Sequence, residues 1–201
     1  MTKYNSDAAA HFGLFIRNAF FDTQTCEELL SAMHSGEDNL ATVYGQSKTG
    51  TVDERVRKVV RHTPSPETIS FVQQRLLECK GAIEEHFGVS LAECEAPHFL
   101  RYRVGDFFVA HQDGNTGMLR SEQESRRISV VIFLSRQADH PENEAYCGGS
   151  LVFHDWRAPQ GSRELAIAGN VGMLVAFRSE TTHEVTPVTH GERLTIACWY
   201  R

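Results

Sequence analysis

The chain has 201 residues, of which 41% are hydrophobic and 23% are charged, and its formal net charge at pH 7 is -6. This length and hydrophobic content suffice for one domain, residues 1–201, with a buried core. The acidic balance argues against nonspecific binding to nucleic acid or to an anionic membrane surface, because both require a basic face.

The cysteines and the N-terminal residues bear on the cellular compartment. The five cysteines are odd in number and form no Cys-x-x-Cys pair, which favours reduced thiols in a cytosol. The N-terminal residues hold no sustained apolar run before a small-residue cleavage site, and no segment of the chain approaches about 18 consecutive apolar residues. The sequence therefore predicts a cytoplasmic protein with no membrane span.

Two amphipathic helices are predicted in the first half of the chain. The first follows a capping Asp22 and ends at Gly36, and the second begins after the N-cap Ser65, has Pro66 at its first position and ends at Gly88. Their apolar positions are Cys26, Leu29, Leu30 and Met33 in the first helix, and Ile69, Val72, Leu76, Ile83 and Phe87 in the second. Each helix has one apolar stripe, so we expect both to pack on the outside of a core.

Two polar stretches lie outside the predicted regular elements. Residues 39–62 form a long stretch that either closes over a substrate or is a solvated connection or an extra hairpin. Residues 136–146 are expected to be a surface turn.

Residues 102–113, with the sequence YRVGDFFVAHQD, have the alternation of a half-buried strand. Strict alternation would place Phe107, Val109, His111 and Asp113 on one face. An imidazole and a carboxylate two residues apart on a strand can supply two ligands to a metal ion.

A third ligand must come from elsewhere in the chain. His183 is the best candidate, because it opens another extended segment rich in β-branched residues. Two other histidines compete with it, but His190 lies in an apparent hairpin turn and His154 ends a strand, so both are expected to be exposed.

Two imidazoles and one carboxylate on one side of Fe(II) leave positions open for a chelating cosubstrate and dioxygen. Such a centre has a formal charge of about +1 and can accept a dianionic keto acid without a large unbalanced charge. The distal carboxylate of that acid needs a cation. Arg193 can grip it through two parallel hydrogen bonds, and Thr195 on the same strand face can add a hydroxyl group.

The chain resembles the 2-oxoglutarate and Fe(II)-dependent dioxygenases, in particular their prolyl 4-hydroxylase-like branch. The resemblance is detailed over the second half of the chain. LRYRVGDFFVAHQD, with Tyr102 and Gly105, resembles the segment that leads into His-x-Asp, and CGGSLVF resembles the Gly-Gly-x-Leu-x-Phe strand. RRISVVIFLS, GNVGMLVAF and HEVTPVTHGERLTIACWY resemble the intervening and closing strands in the same order.

The resemblance implies a mainly β (α+β) fold, a double-stranded β-helix or cupin-like jelly roll. Residues 96–201 would form this catalytic core, and residues 1–95 a mainly helical portion packed on it. His111, Asp113 and His183 would bind Fe(II), and Arg193 would bind the distal carboxylate of 2-oxoglutarate. Tyr102 and Thr195 would help to hold the cosubstrate.

The implied activity is hydroxylation of an unactivated C–H bond, with a prolyl residue of a peptide or protein as the leading target. Dioxygen and 2-oxoglutarate would be converted to succinate and carbon dioxide, with ascorbate as an accessory reductant. Two alternatives stay open at this point. The substrate can be a free amino acid or another small molecule, or the chain can be a cupin-like sensor that binds iron or 2-oxoglutarate without catalysis. The family alone does not assign the substrate.

Overall fold

A computed structural model of the chain describes residues 6–34, 37–40, 53–114, 126–156 and 163–201. Within these residues the helices are α1 Ser6–His11, α2 Thr23–His34 and α3 Pro66–Phe87. The strands are β1 Phe15–Arg17, β2 Glu37–Leu40, β3 Arg57–Lys58, β4 Val60–Thr63, β5 His98–Tyr102, β6 Phe107–His111, β7 Ile128–Phe133, β8 Arg136–Gln137, β9 Ala145–Gly148, β10 Leu151–Asp155, β11 Arg163–Ile167, β12 Leu174–Arg178, β13 His183–Val185, β14 Val188–His190 and β15 Arg193–Tyr200. None of these helices is long and apolar enough to cross a membrane.

The long helix α3 has clear signals at both ends. The hydroxyl oxygen of Ser65 accepts a hydrogen bond from the Thr68 amide at 3.3 Å, and Pro66 occupies the first turn, where no amide donor is needed. Gly88 ends the helix in the left-handed conformation, with φ at 62°, and donates its amide to the Glu84 carbonyl. The predicted helix is therefore confirmed at both ends.

The helix α2 begins as predicted, because the Asp22 carboxylate accepts a hydrogen bond from the Thr25 amide at 2.8 Å. Cys26, Leu29 and Met33 are buried on one face. The predicted end of this helix at Gly36 lies outside the described residues.

Most strands belong to two antiparallel sheets packed face to face. The large sheet has the order β1-β12-β7-β15-β5-β4-β2, and the second has the order β11-β10-β13-β6-β3. One apolar cluster joins their inner faces and includes Phe133 and Phe177 of the large sheet and Phe153 and Leu165 of the second. The predicted mainly β core is confirmed.

The outer face of the large sheet packs on the helices. A second apolar cluster contains Leu76 and Ile83 of α3, Leu29 of α2, and Ile132 and Ile196 of the sheet. The Tyr200 hydroxyl adds a hydrogen bond to the Leu76 carbonyl at 2.7 Å. Helices α2 and α3 therefore lie on the outside of the sheet core, as their single apolar stripes predicted.

Two segments differ from the sequence-based expectation. Residues 136–146 are not just a surface turn, because β8 and β9 pair in parallel at its two ends and Tyr146 is fully buried. The N-terminal portion also contributes strands, and β2 and β4 pair antiparallel at the edge of the large sheet. These polar strands are stabilised by pairing with the sheet, which their local sequence does not reveal. Part of the predicted 39–62 stretch, residues 41–52, lies outside the described residues.

Candidate metal and cosubstrate site

The three predicted metal ligands lie together at one end of the space between the two sheets. His111 ends β6, Asp113 follows two residues later, and His183 opens β13, where it pairs in register with His111. Their ligand atoms all lie within 4.8 Å of one another. Asp113 Oδ1 is 3.6 Å from His111 Nε2, and Asp113 Oδ2 is 3.6 Å from His183 Nε2. Strand pairing thus brings together His111 and His183, which are 72 positions apart in the sequence.

Both imidazole rings are oriented by a backbone carbonyl two residues upstream. His111 Nδ1 is 2.8 Å from the Val109 carbonyl, and His183 Nδ1 is 2.9 Å from the Thr181 carbonyl. A carbonyl oxygen can only accept, so each Nδ1 carries the hydrogen when the ring is neutral. Each Nε2 then offers its lone pair to the space beside Asp113, which is the tautomer that a metal ligand requires.

The strand that carries His111 is bulged, which corrects the expected strict alternation. His183 pairs with His111, but Val185 pairs with Phe108 rather than with Val109. The extra residue brings the Phe108 ring onto His111, with centroids 3.5 Å apart, and leaves Val109 at the surface. A bulge of this kind redirects side chains beside a functional site and leaves no periodic signal in the sequence.

Asp113 is held by a pair of buried hydroxyl groups that the sequence analysis missed. The Ser129 hydroxyl donates to Asp113 Oδ2 at 2.7 Å and lies 2.9 Å from the hydroxyl of Ser179. The Ser179 carbonyl in turn accepts the amides of Asp113 and Gly114 at 2.9 and 3.0 Å. A serine inside the apolar run of β7 is the one sequence signal that could have indicated this contact.

Charges in the cluster suit a divalent cation. Burial raises the pKa of Asp113, but His183 and His111, together with hydrogen bonds from the Trp199 indole and the Ser129 hydroxyl, lower it by more, to about 2. Burial lowers the pKa of His111 to about 3, and the neighbouring His183 acts in the same direction. At neutral pH the cluster therefore presents an ionised carboxylate and a neutral His111, which is the protonation state that metal binding requires.

A cavity of about 500 Å³ opens beside these ligands, and Arg193 lies in its wall. Arg193 is 1% exposed and donates from Nη1 to the Thr195 hydroxyl at 3.2 Å. Its guanidinium carbon is 5.0 Å from the centre of the Tyr102 ring, and Tyr102 is its partner across the strands. The buried neighbours of Arg193 are the Thr195 hydroxyl and the Tyr102, Phe133 and Tyr146 side chains, none of which is a carboxylate, and its Nε has no hydrogen-bond partner among the described residues.

A buried cation that is not paired with a carboxylate requires an anion to offset the free-energy cost of its desolvation. The chain therefore presents two complementary halves of one site, a donor set for a divalent metal and a guanidinium for a carboxylate, on the same cavity. These residues fit the metal and the keto acid that the sequence predicted.

Tyr146 is a buried neighbour of Arg193 that the sequence analysis assigned to a surface turn. Burial raises the pKa of its hydroxyl group, and the charge of the neighbouring Arg193 and a hydrogen bond to it act in the opposite direction. Gly149 makes room for both side chains, because a Cβ atom there would lie 3.0 Å from Arg193 Cδ and 3.3 Å from Tyr146 Cε2. The Gly148-Gly149 motif was visible in the sequence. Nothing in the sequence, however, set Tyr146 apart from the polar residues that precede it.

The two competing histidines are not part of the cluster. His190 is exposed at the end of β14, as predicted. His154 was expected to be exposed, but its side chain is only 8% exposed and lies between Glu164 and Glu184, at 3.3 and 3.4 Å. The two acidic residues come from the neighbouring strands β11 and β13, which the sequence did not place beside β10.

Comparison with known proteins places the chain in a family. The family model described as the 2OG-Fe(II) oxygenase superfamily matches residues 97–201. A PKHD-type hydroxylase of Shewanella oneidensis is 37% identical over 108 residues, which cover 51% of this chain and 41% of the relative. Another PKHD-type hydroxylase, from Burkholderia ambifaria, is 30% identical over 177 residues, which cover 87% of this chain and 70% of the relative. The match thus spans about two fifths of the length of the Shewanella protein.

Solved structures share the fold. A Pseudomonas putida prolyl-4-hydroxylase superposes with a TM-score of 0.69 at 24% identity, covering 97% of this chain and 95% of the other. A Trichoplax adhaerens prolyl hydroxylase in complex with a peptide fragment of the hypoxia inducible factor oxygen degradation domain also gives 0.69, at 17% identity, covering 96% and 86%. These likenesses confirm the predicted jelly roll. Because the family model matches more than half of its residues, the chain belongs to the 2OG-Fe(II) oxygenase superfamily.

Proposed function

We propose that the chain is a dioxygenase dependent on Fe(II) and 2-oxoglutarate that hydroxylates a prolyl residue in a peptide or protein. The observation that carries the proposal is the pairing of His111, Asp113 and His183 with a buried Arg193 on one cavity. The relatives and structural neighbours, which are PKHD-type hydroxylases and prolyl hydroxylases, support the prolyl target.

In this proposal His111, Asp113 and His183 hold Fe(II), and Arg193 binds the distal carboxylate of 2-oxoglutarate. The Thr195 hydroxyl accepts a hydrogen from Arg193 and so fixes the guanidinium plane. Tyr102 supports the guanidinium with its ring. The bound metal and cosubstrate supply an oxidation in which dioxygen and 2-oxoglutarate become succinate and carbon dioxide, and one oxygen atom enters a substrate C–H bond.

The contribution of the chain is to position its partners and to exclude water. The Val109 and Thr181 carbonyls keep the two ligand imidazoles in one tautomer, and Ser129 keeps Asp113 turned towards them. The apolar side chains in the cavity wall keep bulk water away from the reacting C–H bond and strengthen the interaction of Arg193 with its carboxylate. These wall residues include Leu100, Val131, Leu151, Val185 and Ala197.

An anaerobic titration with Fe(II) and then 2-oxoglutarate tests this proposal. Chelation of the metal by the keto acid should give a weak metal-to-ligand charge-transfer band in the visible spectrum. We expect Asp113→Ala to remove the band and His190→Ala, which changes an exposed histidine outside the cluster, to leave it unchanged.

Turnover is tested next with proline-containing peptides, with ascorbate present, by measuring succinate and hydroxyproline together. A sensor would show the band and no succinate. Absence of the band in the folded wild-type protein would contradict the proposal itself.

A further inference from the structure

Three buried cysteines lie close together on the helix-facing side of the large sheet, away from the proposed metal and cosubstrate site. They are Cys79 of α3, Cys94 in the segment that joins α3 to β5, and Cys198 of β15. All three belong to the apolar cluster between the helices and the sheet. Burial raises the pKa of the Tyr200 hydroxyl, and the three thiols act in the same direction, so each of them lies near that hydroxyl group.

Cys94 and Cys198 are in direct contact, although they are 104 positions apart in the sequence. Their Sγ atoms are 3.3 Å apart, and the two thiols lie 3.6 and 3.1 Å from the Glu95 carbonyl. A disulfide bond has a length of about 2.05 Å, so the two sulfur atoms need to approach each other by only about 1.3 Å. The pair therefore has the proximity that a disulfide requires.

The chain around Cys94 can supply that approach. All of residues 88–97 are described, and none of them lies in a regular helix or strand; Cys94 forms an isolated bridge with Tyr200. Cys198, by contrast, lies inside β15, which pairs with β5 on one side and with β7 on the other. A small displacement of residues 88–97 therefore closes the gap without disturbing the large sheet.

The two thiols differ in acidity and in burial. A hydrogen bond from Cys198 lowers the pKa of Cys94, against the opposing effects of burial and of Glu95. The same hydrogen bond, together with burial, raises the pKa of Cys198. Cys94 is also the less buried member, with 6% of its surface exposed against 0% for Cys198. Because the thiolate is the reactive form of cysteine, Cys94 is the nucleophile of the pair and Cys198 is the resolving thiol.

The pair lies directly behind one part of the cavity wall. Glu95, which follows Cys94, accepts hydrogen bonds from Arg126 at 2.9 and 2.7 Å. Trp199, which follows Cys198, lies under the Arg126 guanidinium, whose carbon is 3.7 Å from the ring centre. Arg126 and Trp199 both line the cavity. A bond between the two sulfur atoms would therefore join the two segments that hold this part of the wall.

We propose that Cys94 and Cys198 are a redox modification site, at which a reversible disulfide joins residues 88–97 to β15 behind the cavity. The oxidant is a hydroperoxide, for which hydrogen peroxide is the simplest example. This inference is independent of the proposed function, because it involves neither the metal ligands nor Arg193.

The reaction balances in two steps. The Cys94 thiolate attacks one oxygen of hydrogen peroxide, the O–O bond breaks, and the departing hydroxide takes up a proton to become water, which leaves a sulfenic acid on Cys94. The Cys198 sulfur then attacks the Cys94 sulfur, the S–O bond breaks, and a second water leaves as the S–S bond forms. Two thiols lose two electrons and two protons in total, and one peroxide is reduced to two waters.

The test treats the full chain, without added metal, with hydrogen peroxide, because Fe(II) would itself consume the oxidant. Remaining thiols are alkylated, and the protein is digested with trypsin without reduction and analysed by mass spectrometry. Cleavage after lysine and arginine leaves Cys94 in residues 81–101 and Cys198 in residues 194–201, and neither peptide contains another cysteine. We expect these two peptides as a linked pair, lighter than their sum by two hydrogen atoms and separated by dithiothreitol.

The melting temperature of the oxidised protein gives a second measurement. Closing a loop of about 100 residues should raise it by about 5–15 °C, and dithiothreitol should reverse the rise. Cys94→Ala and Cys198→Ala should each remove both the linked pair and the rise. Cys147→Ala is the matched control, because Cys147 is a buried cysteine of β9, and Cys79→Ala tests whether the third thiol is needed. Both control variants should behave like the wild-type protein.

Several outcomes would overturn the inference. These are absence of the linked pair in the folded wild-type protein, a link between other cysteines in its place, loss of the link in Cys79→Ala or Cys147→Ala, or a linked protein whose melting temperature does not rise. The wild-type digest alone decides whether the bond forms, so the test does not depend on the folding of any variant.

Discussion

The two faces of the large sheet have opposite characters, and β15 shows both within eight residues. Its side chains alternate between the helices and the cavity, and all eight residues are buried. Leu194, Ile196, Cys198 and Tyr200 face the helices, whereas Arg193, Thr195, Ala197 and Trp199 line the cavity. The helix-facing side is filled by packed apolar groups, and the cavity-facing side buries the polar groups of Arg193, Thr195 and Trp199.

This difference separates the parts of the protein that stabilise the fold from those that bind ligands. Apolar burial against α2 and α3 contributes free energy to folding, whereas a buried guanidinium without a carboxylate costs folding free energy until an anion arrives. The cavity face therefore lowers the stability of the ligand-free protein, and the same residues bind the ligands. Removal of the buried charge from the cavity face should therefore raise the free energy of unfolding, whereas removal of an apolar group from the helix-facing side should lower it.

The largest effect is expected from Arg193→Met. Removing one partner of a buried charge pair costs about 2–5 kcal/mol, so the dissociation constant for 2-oxoglutarate should rise about 30-fold or more. The free energy of unfolding of the metal-free protein should rise, because an unpaired buried charge is removed. Spectroscopic titration and urea denaturation measure the two quantities.

Arg193→Lys is the matched control for that change. It keeps the charge and loses the two-pronged geometry, so it should give an intermediate affinity. A loss of stability in Arg193→Met, with unchanged 2-oxoglutarate affinity, would place this arginine in the scaffold rather than in the site.

Leu76 of α3 packs on the opposite face of the sheet. Leu76→Ala should lower the free energy of unfolding by about 2–5 kcal/mol, because removing a fully buried side chain leaves a cavity. The 2-oxoglutarate affinity of the folded protein should stay within about twofold, since Leu76 lies on the far side of the sheet. Leu77→Ala is the control in the same helix, where the side chain is 44% exposed and the cost should be small. Similar destabilisation by both variants would show that α3 does not pack as described.

A smaller effect is expected from Ser129→Ala, which removes the hydroxyl that holds Asp113. Groups that orient a metal ligand typically contribute about 10- to 100-fold to metal affinity, so Fe(II) binding should weaken within that range. Competition with a chelator under anaerobic conditions gives the affinity. Ser65→Ala should cost about 1 kcal/mol of stability through the loss of a helix cap and leave Fe(II) affinity unchanged. An unchanged affinity in Ser129→Ala would mean that the other contacts of Asp113 suffice.

The last effect is negligible at neutral pH and appears only on acidification. Burial lowers the pKa of His98 to about 3 in the folded protein, against an ordinary value of 6.5, so below pH 6.5 the unfolded chain binds a proton that the folded chain does not. Stability should therefore fall as the pH falls from 6.5 towards 3, and His98 contributes up to about 1.4 kcal/mol per pH unit. His98→Gln should reduce that slope, measured as unfolding free energy between pH 4 and 7. An equal slope in the variant would show that His98 is not held neutral by its surroundings.

The same contrast between faces explains how far the sequence could be interpreted. Helix α3 was predictable at both ends, because Ser65, Pro66 and Gly88 act locally and the apolar spacing between them is helical. The candidate ligands were identifiable because few residue types can hold Fe(II) and because His-x-Asp is a short motif.

Other features depend on contacts between distant segments. Strand β15 is buried on both faces, so hydrophobicity alone does not tell which residues line the cavity. The bulge beside Phe108 appears only when β6 pairs with β13. Tyr146 and Ser129 were missed because their importance comes from neighbours far away in the sequence, Arg193 and Asp113.

The hydrogen bonds from His111 and His183 to carbonyls two residues upstream have a consequence for how the site arises and changes. Each ligand finds the acceptor for its ring N–H two residues upstream in its own segment, in strand β6 for His111 and in the bend before β13 for His183. The hydrogen bond that sets the tautomer of each imidazole therefore needs no partner from a distant part of the chain. Such stretches are modular, so the loops and walls around them can diverge and accept new substrates while the ligand geometry is inherited unchanged.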